Sequence, residues 1–278
     1  MKYNIEEIEK SFLKALPFPA ILFKVVSMIR EQKDPLYKLG QEISKDPVLS
    51  AKLLETANSP FYGVKQKVSD LPHAISLLGY NDVSTIVMRF VLKQTFSSVD
   101  GAKSSRLYVP KTIWLHSLKS AFISKTLAIQ YHLPYPLECY TAGLLQDIGQ
   151  NAIALCIQKR EEYQVLKEMN SGKELYEAER EVLGFDHTQC SLQILKKMKI
   201  SLEIMQAIKN HHENIAKDFR KMDFILALSN ILAEFADNTG TRLAELDSKL
   251  ASRFSMSSNE IDHLDKIYNE LDIALKHL

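Results

Sequence analysis

Helical periodicity runs through most of the chain. Leu71, Ala74, Ile75 and Leu78 recur at i, i+3, i+4 and i+7, and Gly79 follows where a helix would stop. Asp46-Pro47 reads as an N-cap followed by proline at the first helical position, with Leu49, Leu53, Leu54 and Ala57 as the apolar face behind it. Trp114, Leu118, Ala121, Phe122 and Ile129 form a similar stripe on a longer helix. Ser257 and Glu260 fit a capping box ahead of Ile261, Leu264 and Ile267. No sustained alternation of apolar and polar positions is bounded by turns, so strand signals are weak. The pattern predicts an all-α protein of roughly a dozen helices of ordinary length joined by short connections.

The small, polar stretch from Ser97 to Ser105 is the best candidate linker, and Asp237-Asn238-Thr239-Gly240 is a second weak spot. They divide the chain into an N-terminal helical lobe over 1–98, a second lobe over 106–240 and a helical tail over 241–278. Composition then narrows the function classes. A formal net charge of +1 over 278 residues removes any global pull toward nucleic acid or an anionic membrane. The cluster Lys196, Lys197 and Lys199 reads as a solvated helix end. Cys139, Cys156 and Cys190 are sparse and odd in number, which argues for buried thiols in a reducing compartment rather than a disulfide framework. The acidic N-terminus lacks an apolar signal core, and no segment approaches the ~18 apolar residues of a membrane span, so a cytoplasmic protein is expected.

The motifs bring a family into view. The first lobe reads Leu16-Pro17-Phe18-Pro19, Asp46-Pro47-Val48-Leu49, Ala57-Asn58-Ser59-Pro60-Phe61-Tyr62-Gly63 and Ala74-Ile75-Ser76-Leu77-Leu78-Gly79. The second reads Trp114-Leu115-His116-Ser117, Gly143-Leu144-Leu145-Gln146-Asp147-Ile148-Gly149, Gly184-Phe185-Asp186-His187 and His211-His212. Each is weak alone; in this order and spacing the set resembles the HDOD domain, a non-catalytic relative of the HD-type metal phosphohydrolases. The resemblance runs from about Leu16 to His212. It implies a two-lobe, HD-like helical fold and an output or adaptor role in bacterial signal transduction, often beside cyclic-di-GMP enzymes or response regulators. No receiver or cyclase segment is expected in this length, so signalling would pass through a separate protein partner.

An HD hydrolase takes a His from one helix, an adjacent His-Asp pair from the next and an Asp from a later helix. Together these hold a divalent metal that lowers the pKa of a bound water. Here His116 matches the first His and Asp147 the Asp of the pair, whereas Gln146 replaces the paired His and Asn230 the final Asp. Amide oxygens bind divalent metals more weakly than imidazole or carboxylate, so the resemblance implies vestigial positions and no catalysis. The residues also have local readings. Asp147 could cap the turn before Ile148-Gly149, His187 could do the same after Asp186, and His211 or His212 could end a helix where imidazolium favours the dipole. If His116, Asp147, His187, His211 and His212 converge, a weak, adventitious divalent metal is the only cofactor expected.

Other chemistry is absent from the motifs: there is no phosphate-cradling glycine loop, no His-Glu-x-x-His and no Gly-x-Ser-x-Gly elbow. The turn Asn58–Gly63 has two readings. Its aromatics Phe61 and Tyr62 either tuck between helices or anchor a protein partner. The leading expectation is a non-enzymatic signalling module that binds protein. Its rivals are a residual metal-dependent phosphohydrolase and a pseudo-enzyme that binds a regulatory nucleotide.

Overall fold

The computed structural model describes residues 3–15, 28, 36–64, 66–99, 105–198, 200–213, 215–237, 243–264 and 266. Among these every regular element is a helix and no strand occurs, as the periodicity predicts. The Leu16–Pro19 motif, Lys199, Ile267 and positions 238–240 of the second weak spot lie outside the described residues. By contacts the chain divides into two compact units, Leu16–Ser98 and Met1–Ala15 with Val99–Leu278. The first helix, α1 (Ile5–Ala15), thus groups with the C-terminal unit.

The Leu16–Ser98 unit contains α2 (Leu36–Ile43), α3 (Pro47–Ala57), a 3-10 turn at Pro60–Tyr62 and α4 (Leu71–Val99). Asp46 caps α3 as expected: its carboxylate accepts from the amides of Val48 and Leu49 at 2.9 and 3.0 Å. Leu49, Leu53 and Ala57 are buried and Leu54 is half-buried, so the predicted face holds. Gly79 ends the first helical run, as the sequence predicts. Its backbone turns sharply (φ 70°, ψ 173°) and a second helical axis begins at once, because the apolar pattern resumes with the buried Val83, Ile86 and Val87. Helix α4 then runs through the start of the expected linker to Val99; residues 100–104 are not among those described.

The C-terminal unit is built from α5 (Pro110–Gln130), α6 (Pro136–Leu145), α7 (Ile148–Cys156), α8 (Lys159–Asn170), α9 (Leu175–Leu183), α10 (His187–Lys197), α11 (Leu202–Asn210), α12 (Met222–Asp237) and α13 (Leu243–Phe254). A short helix over 258–264 follows. Prolines 110 and 136 open α5 and α6, where the missing N–H costs nothing. Helix α6 is buried on every side from Cys139 to Leu145, which marks it as the centre of the unit. It packs against α5, α11 and α12, while α7 packs against α10 and α1. On α5, Trp114, Leu118 and Ala121 are buried as predicted and Phe122 is half-buried. Ile129, in the last turn, is 55% exposed because Leu127 and Ala128 supply the core there.

Two smaller expectations change in detail. Only half of the capping box forms: the Glu260 carboxylate accepts from the Ser257 amide at 2.9 Å, but the Ser257 hydroxyl donates to that carboxylate instead of capping the helix. Lys196 and Lys197 are exposed in the last turn of α10, the solvated helix end anticipated for them. Cys139 and Cys190 are buried and Cys156 half-buried, all three as free thiols. No described helix is long and apolar enough to cross a membrane.

Two close backbone contacts bring the site-bearing helices together. A Cβ on Gly143 would lie 2.6 Å from the Cα of Ala121, so α6 touches α5 backbone to backbone. A Cβ on Gly149 would lie 2.0 Å from the carbonyl oxygen of His187 and 2.7 Å from the Ser191 amide nitrogen, so α7 meets the start of α10 in the same way. The Ser191 hydroxyl ties that junction: it donates to the Gln146 carbonyl and accepts from the Gly149 amide, both at 2.9 Å. Since the obstacle at Gly149 is backbone, Gly149→Ala should cost about 1–3 kcal/mol in urea unfolding. An unchanged midpoint would show that α7 and α10 are not held this closely.

Candidate functional site

Four sequence positions of an HD centre meet inside the C-terminal unit. Gln146 and Asp147 lie at the junction of α6 and α7, His116 on α5 and Asn230 on α12. Gln146, Asp147 and Asn230 are essentially inaccessible, and the His116 side chain keeps 15% exposure. The Gln146 amide nitrogen lies 2.8 Å from Asn230 Oδ1, 3.1 Å from Asp147 Oδ2 and 3.2 Å from His116 Nε2. His116 Nε2 is 2.9 Å from Asn230 Oδ1. Asn230 turns its own amide group outward to Glu234 at 3.2 Å, which points its oxygen inward.

This half of the centre is a closed hydrogen-bonded net. With the Gln146 hydrogens donated to the Asn230 and Asp147 oxygens, the proton at His116 Nε2 goes to Asn230 as well. Of the two groups that replace a His and an Asp, Gln146 therefore puts N–H donors where ligand lone pairs would converge, and Asn230 an oxygen that those donors already engage. The divalent metal of an HD hydrolase does not fit here.

The other half is different. Asp147 Oδ1 lies 3.4 Å from His187 Nε2 and 3.9 Å from His211 Nε2, and the Gln150 side chain donates to it at 2.8 Å. His187 Nε2 is 2.8 Å from His212 Nε2. One donor atom from each of Asp147, His187, His211 and His212 lies within 4.8 Å of the others. His116 is not in this group, so the five expected metal candidates separate into four that converge and one that is engaged by amides.

Local structure explains these positions. Asp147 stands at the N-terminus of α7 yet makes no capping bond, so its carboxylate turns to the cluster and the capping reading fails. At α10 the cap is Asp186, whose side chain accepts from the Gln189 amide at 2.8 Å, which frees the His187 ring from that duty. His211 terminates α11, as expected for a helix end, and its Nδ1 meets the Ile208 carbonyl at 2.6 Å.

Burial and charge act against each other here. Burial opposes ionisation of Asp147, but His116, His187, His211 and the Gln146 amide together hold its carboxyl below the usual range. Burial likewise disfavours imidazolium at His187, yet the carboxylates of Glu179, Asp147 and Asp186 outweigh it and push this ring up to about 9. His211 is pulled down to about 4, chiefly by burial, with Asp147 and the hydrogen bond to the Ile208 carbonyl opposing. Burial, then His211 and His187, lower His212 well below its ordinary value.

Sequence reasoning missed Glu179. It is fully buried on α9, and its carboxylate accepts from the His187 amide at 2.7 Å, contacts His187 Nδ1 at 2.6 Å and accepts from the Tyr108 hydroxyl at 2.8 Å. It stands among Glu177, Arg180 and Glu181 in a stretch that reads as a solvated face, so nothing local marks it. In the Leu16–Ser98 unit, Phe61 does not tuck between helices: it is 86% exposed. Tyr62 packs edge-on against it at 5.0 Å and donates its hydroxyl to Asp82 at 2.6 Å.

An all-helical unit carrying the outline of an HD centre defines the class, and the comparisons agree with it. The model of the HDOD domain matches residues 16–214, and the chain belongs to that family. It shares its fold with an HDOD domain protein of unknown function from Geobacter sulfurreducens, at 20% identity and a TM-score of 0.71, covering 97% of this chain and 96% of that one. A candidate phosphohydrolase from Shewanella amazonensis SB2B matches at 19% identity and a TM-score of 0.70, covering 95% and 94% of the two chains. A candidate signal transduction protein from Marinobacter aquaeolei VT8 matches at 17% identity and a TM-score of 0.68, over 94% of this chain and 58% of that one. No curated protein matches the chain.

Restoring the missing ligands tests the closed half. Gln146→His with Asn230→Asp should take up one more divalent transition-metal ion per chain than the unsubstituted protein, read by calorimetry. Without metal it should be less stable, because the carboxylate introduced at position 230 faces Glu234. Equal metal uptake by the two proteins would mean that the helices no longer hold the geometry of an HD centre.

Proposed function

We propose that this HDOD domain is a non-catalytic output or adaptor module of bacterial signal transduction that acts by binding another protein. The observation that carries the reading is the Gln146 amide, seated between Asn230 and Asp147 where a hydrolase places a metal-binding imidazole. Hydroxide generation at an HD centre needs a cation, and N–H donors aimed into that space repel one. A family role beside cyclic-di-GMP or two-component proteins is consistent with this loss.

Phe61 is the best single candidate for a partner contact. An aromatic ring 86% exposed on a turn stiffened by proline gains more from being covered than from water. Asn58 holds that turn firmly. Its side chain donates to the Leu54 and Val68 carbonyls and accepts from the Val68 amide, all within 2.8 Å. The ring is therefore presented on a rigid base.

Two measurements test the reading. The purified protein with Mn2+ should show no turnover of bis(4-nitrophenyl) phosphate or cyclic-di-GMP above the metal blank. A rate that EDTA abolishes would replace the proposal with a residual phosphohydrolase. In parallel, Phe61→Ala should weaken capture of the cellular partner at least tenfold while shifting the thermal midpoint by less than about 2 °C, because an exposed ring adds little to the fold. Capture unchanged in Phe61→Ala would move the partner surface away from this turn.

A further inference from the structure

Helix α1 belongs to the C-terminal unit although residues 16–98 separate it from the rest of that unit along the chain. We propose that α1 is a displaceable strap over the α7–α10 face, and that the bared face takes an amphipathic helix of another protein. That helix would repeat the apolar spacing of α1 with an uncharged residue in place of Glu9. The inference extends protein binding to a second surface. Its test uses a synthetic peptide, so its failure is separable from failure at the Phe61 turn.

The sequence makes α1 a helix with one apolar side. Asn4 opens it, its side-chain oxygen accepting from the Glu6 amide at 2.9 Å. Glu6 and Glu7 lie in the first turn and Lys14 in the last, each at the end of the dipole that favours it. Ile8 and Phe12 are buried and Ile5 is half-buried, whereas Glu6, Glu7, Lys10, Ser11 and Lys14 face water. Eleven residues are too few for a stable helix on their own in water, so α1 depends on the surface that it covers.

That surface is formed by α7 and α10, against which α1 packs. Tyr3 fixes the leading end: its hydroxyl accepts from the Gln158 amide at 3.2 Å and donates to Glu161 at 3.4 Å. Helix α1 precedes the span 16–214 matched by the HDOD model, and it continues neither of the helices beneath it. Its hold on them is an intramolecular binding event, favoured by the tether and open to competition.

One residue works against that hold. Glu9 lies on the buried side beside Ile8, at 3% exposure. Among the described residues its carboxylate meets neither a hydrogen-bond donor nor a cation. Ionised or protonated, such a group leaves water without a partner in return. It lies near the buried Cys190 of α10, a thiol pushed up by burial and then by surrounding groups that include Glu179 and Glu9. A thiol is only a weak donor and does not replace the lost water.

The occupant is read from α1 itself. A helix laid into a groove is anchored at i, i+3, i+4 and i+7. Ile5, Ile8, Glu9 and Phe12 hold those four positions, and Glu9 is the one charged residue among them. An apolar residue there would keep the other three anchors and remove the unpaired carboxylate. Helix α1 is thus a poorer occupant of its own seat than a helix of the same spacing from another protein would be. A cover that can be displaced needs that difference in affinity.

The probe is a labelled peptide of Tyr3–Ala15 carrying Glu9→Leu, titrated with the full chain and read by fluorescence anisotropy. It should bind about tenfold or more tightly than the same peptide with Glu9 retained. A competitor in the same chain lowers apparent affinity by the fraction of molecules it covers. Ile8→Ala in the chain loosens α1 and should therefore tighten peptide binding about fivefold or more, and Glu9→Leu in the chain should weaken it about tenfold or more. A second readout needs no peptide. Alkylation of Cys190 by iodoacetamide, followed by mass spectrometry, should be faster in Ile8→Ala and slower in Glu9→Leu, with the rate at the buried Cys139 unchanged. Absence of peptide binding, or an affinity that neither substitution in the chain moves, would overturn the proposal. So would Cys190 and Cys139 becoming reactive together in Ile8→Ala, which would make α1 a part of the core rather than a cover. Dimers of the unsubstituted chain that the peptide dissolves would assign the face to a second copy and overturn the choice of partner.

Discussion

Asp147 is a carboxylate with 2% exposure at the meeting point of three helices, and much of the unit around it is arranged to keep that charge tolerable. A lone buried carboxylate is prohibitively costly, so its oxygens must be occupied by donors or cations. Gln146 donates to one oxygen; Gln150 donates to the other, which the imidazoles of His187 and His211 also face. Glu179 then balances His187 from behind. The remaining chemistry of the site follows from which neighbours are amides and which are imidazoles.

That difference separates the two halves of the centre. An amide carries donors and an acceptor in one group, so Gln146 and Asn230 satisfy each other and Asp147 without any outside species. Imidazoles with Nδ1 already engaged, as in His187 and His211, have only a lone pair or a proton to offer inward. A net of amides closes upon itself. In a ring of imidazoles and carboxylates a proton can supply the balancing charge, as at His187, where neighbouring carboxylates favour imidazolium. The two sets of neighbours share only Asp147.

The scaffold persists because the helices are held by contacts unrelated to ligands. Backbone touches backbone at Gly143 and at Gly149, and Ser191 bridges the second junction. Each glycine removes the Cβ that would separate two helices, so backbone contacts help to keep positions 116, 146, 147 and 187 together. In the Leu16–Ser98 unit the same economy appears at Asn58, where one side chain satisfies both ends of a turn and leaves Phe61 outside. The residue that holds this turn is thus distinct from the ring it exposes.

The sequence by itself determined the helical class, the positions of most apolar faces, the cap at Asp46 and the identity of the four HD positions. These depend on periodicity and on residue chemistry within a few neighbours, which is the range over which a helix is specified. It also showed that Gln146 and Asn230 are amides where an HD hydrolase has a His and an Asp. Only the tertiary structure decided what those amides do, that Asp147 leaves its helix cap unmade, and that His116 stays apart from the other histidines. The exposure of Phe61 and the part played by Glu179 belong with these. Each depends on partners far along the chain, such as Tyr108 and His187 for Glu179 or Glu234 for the orientation of Asn230. Local pattern tells how a segment folds; the direction of a buried polar side chain is set by whichever donor or acceptor the packing brings within about 3 Å of it.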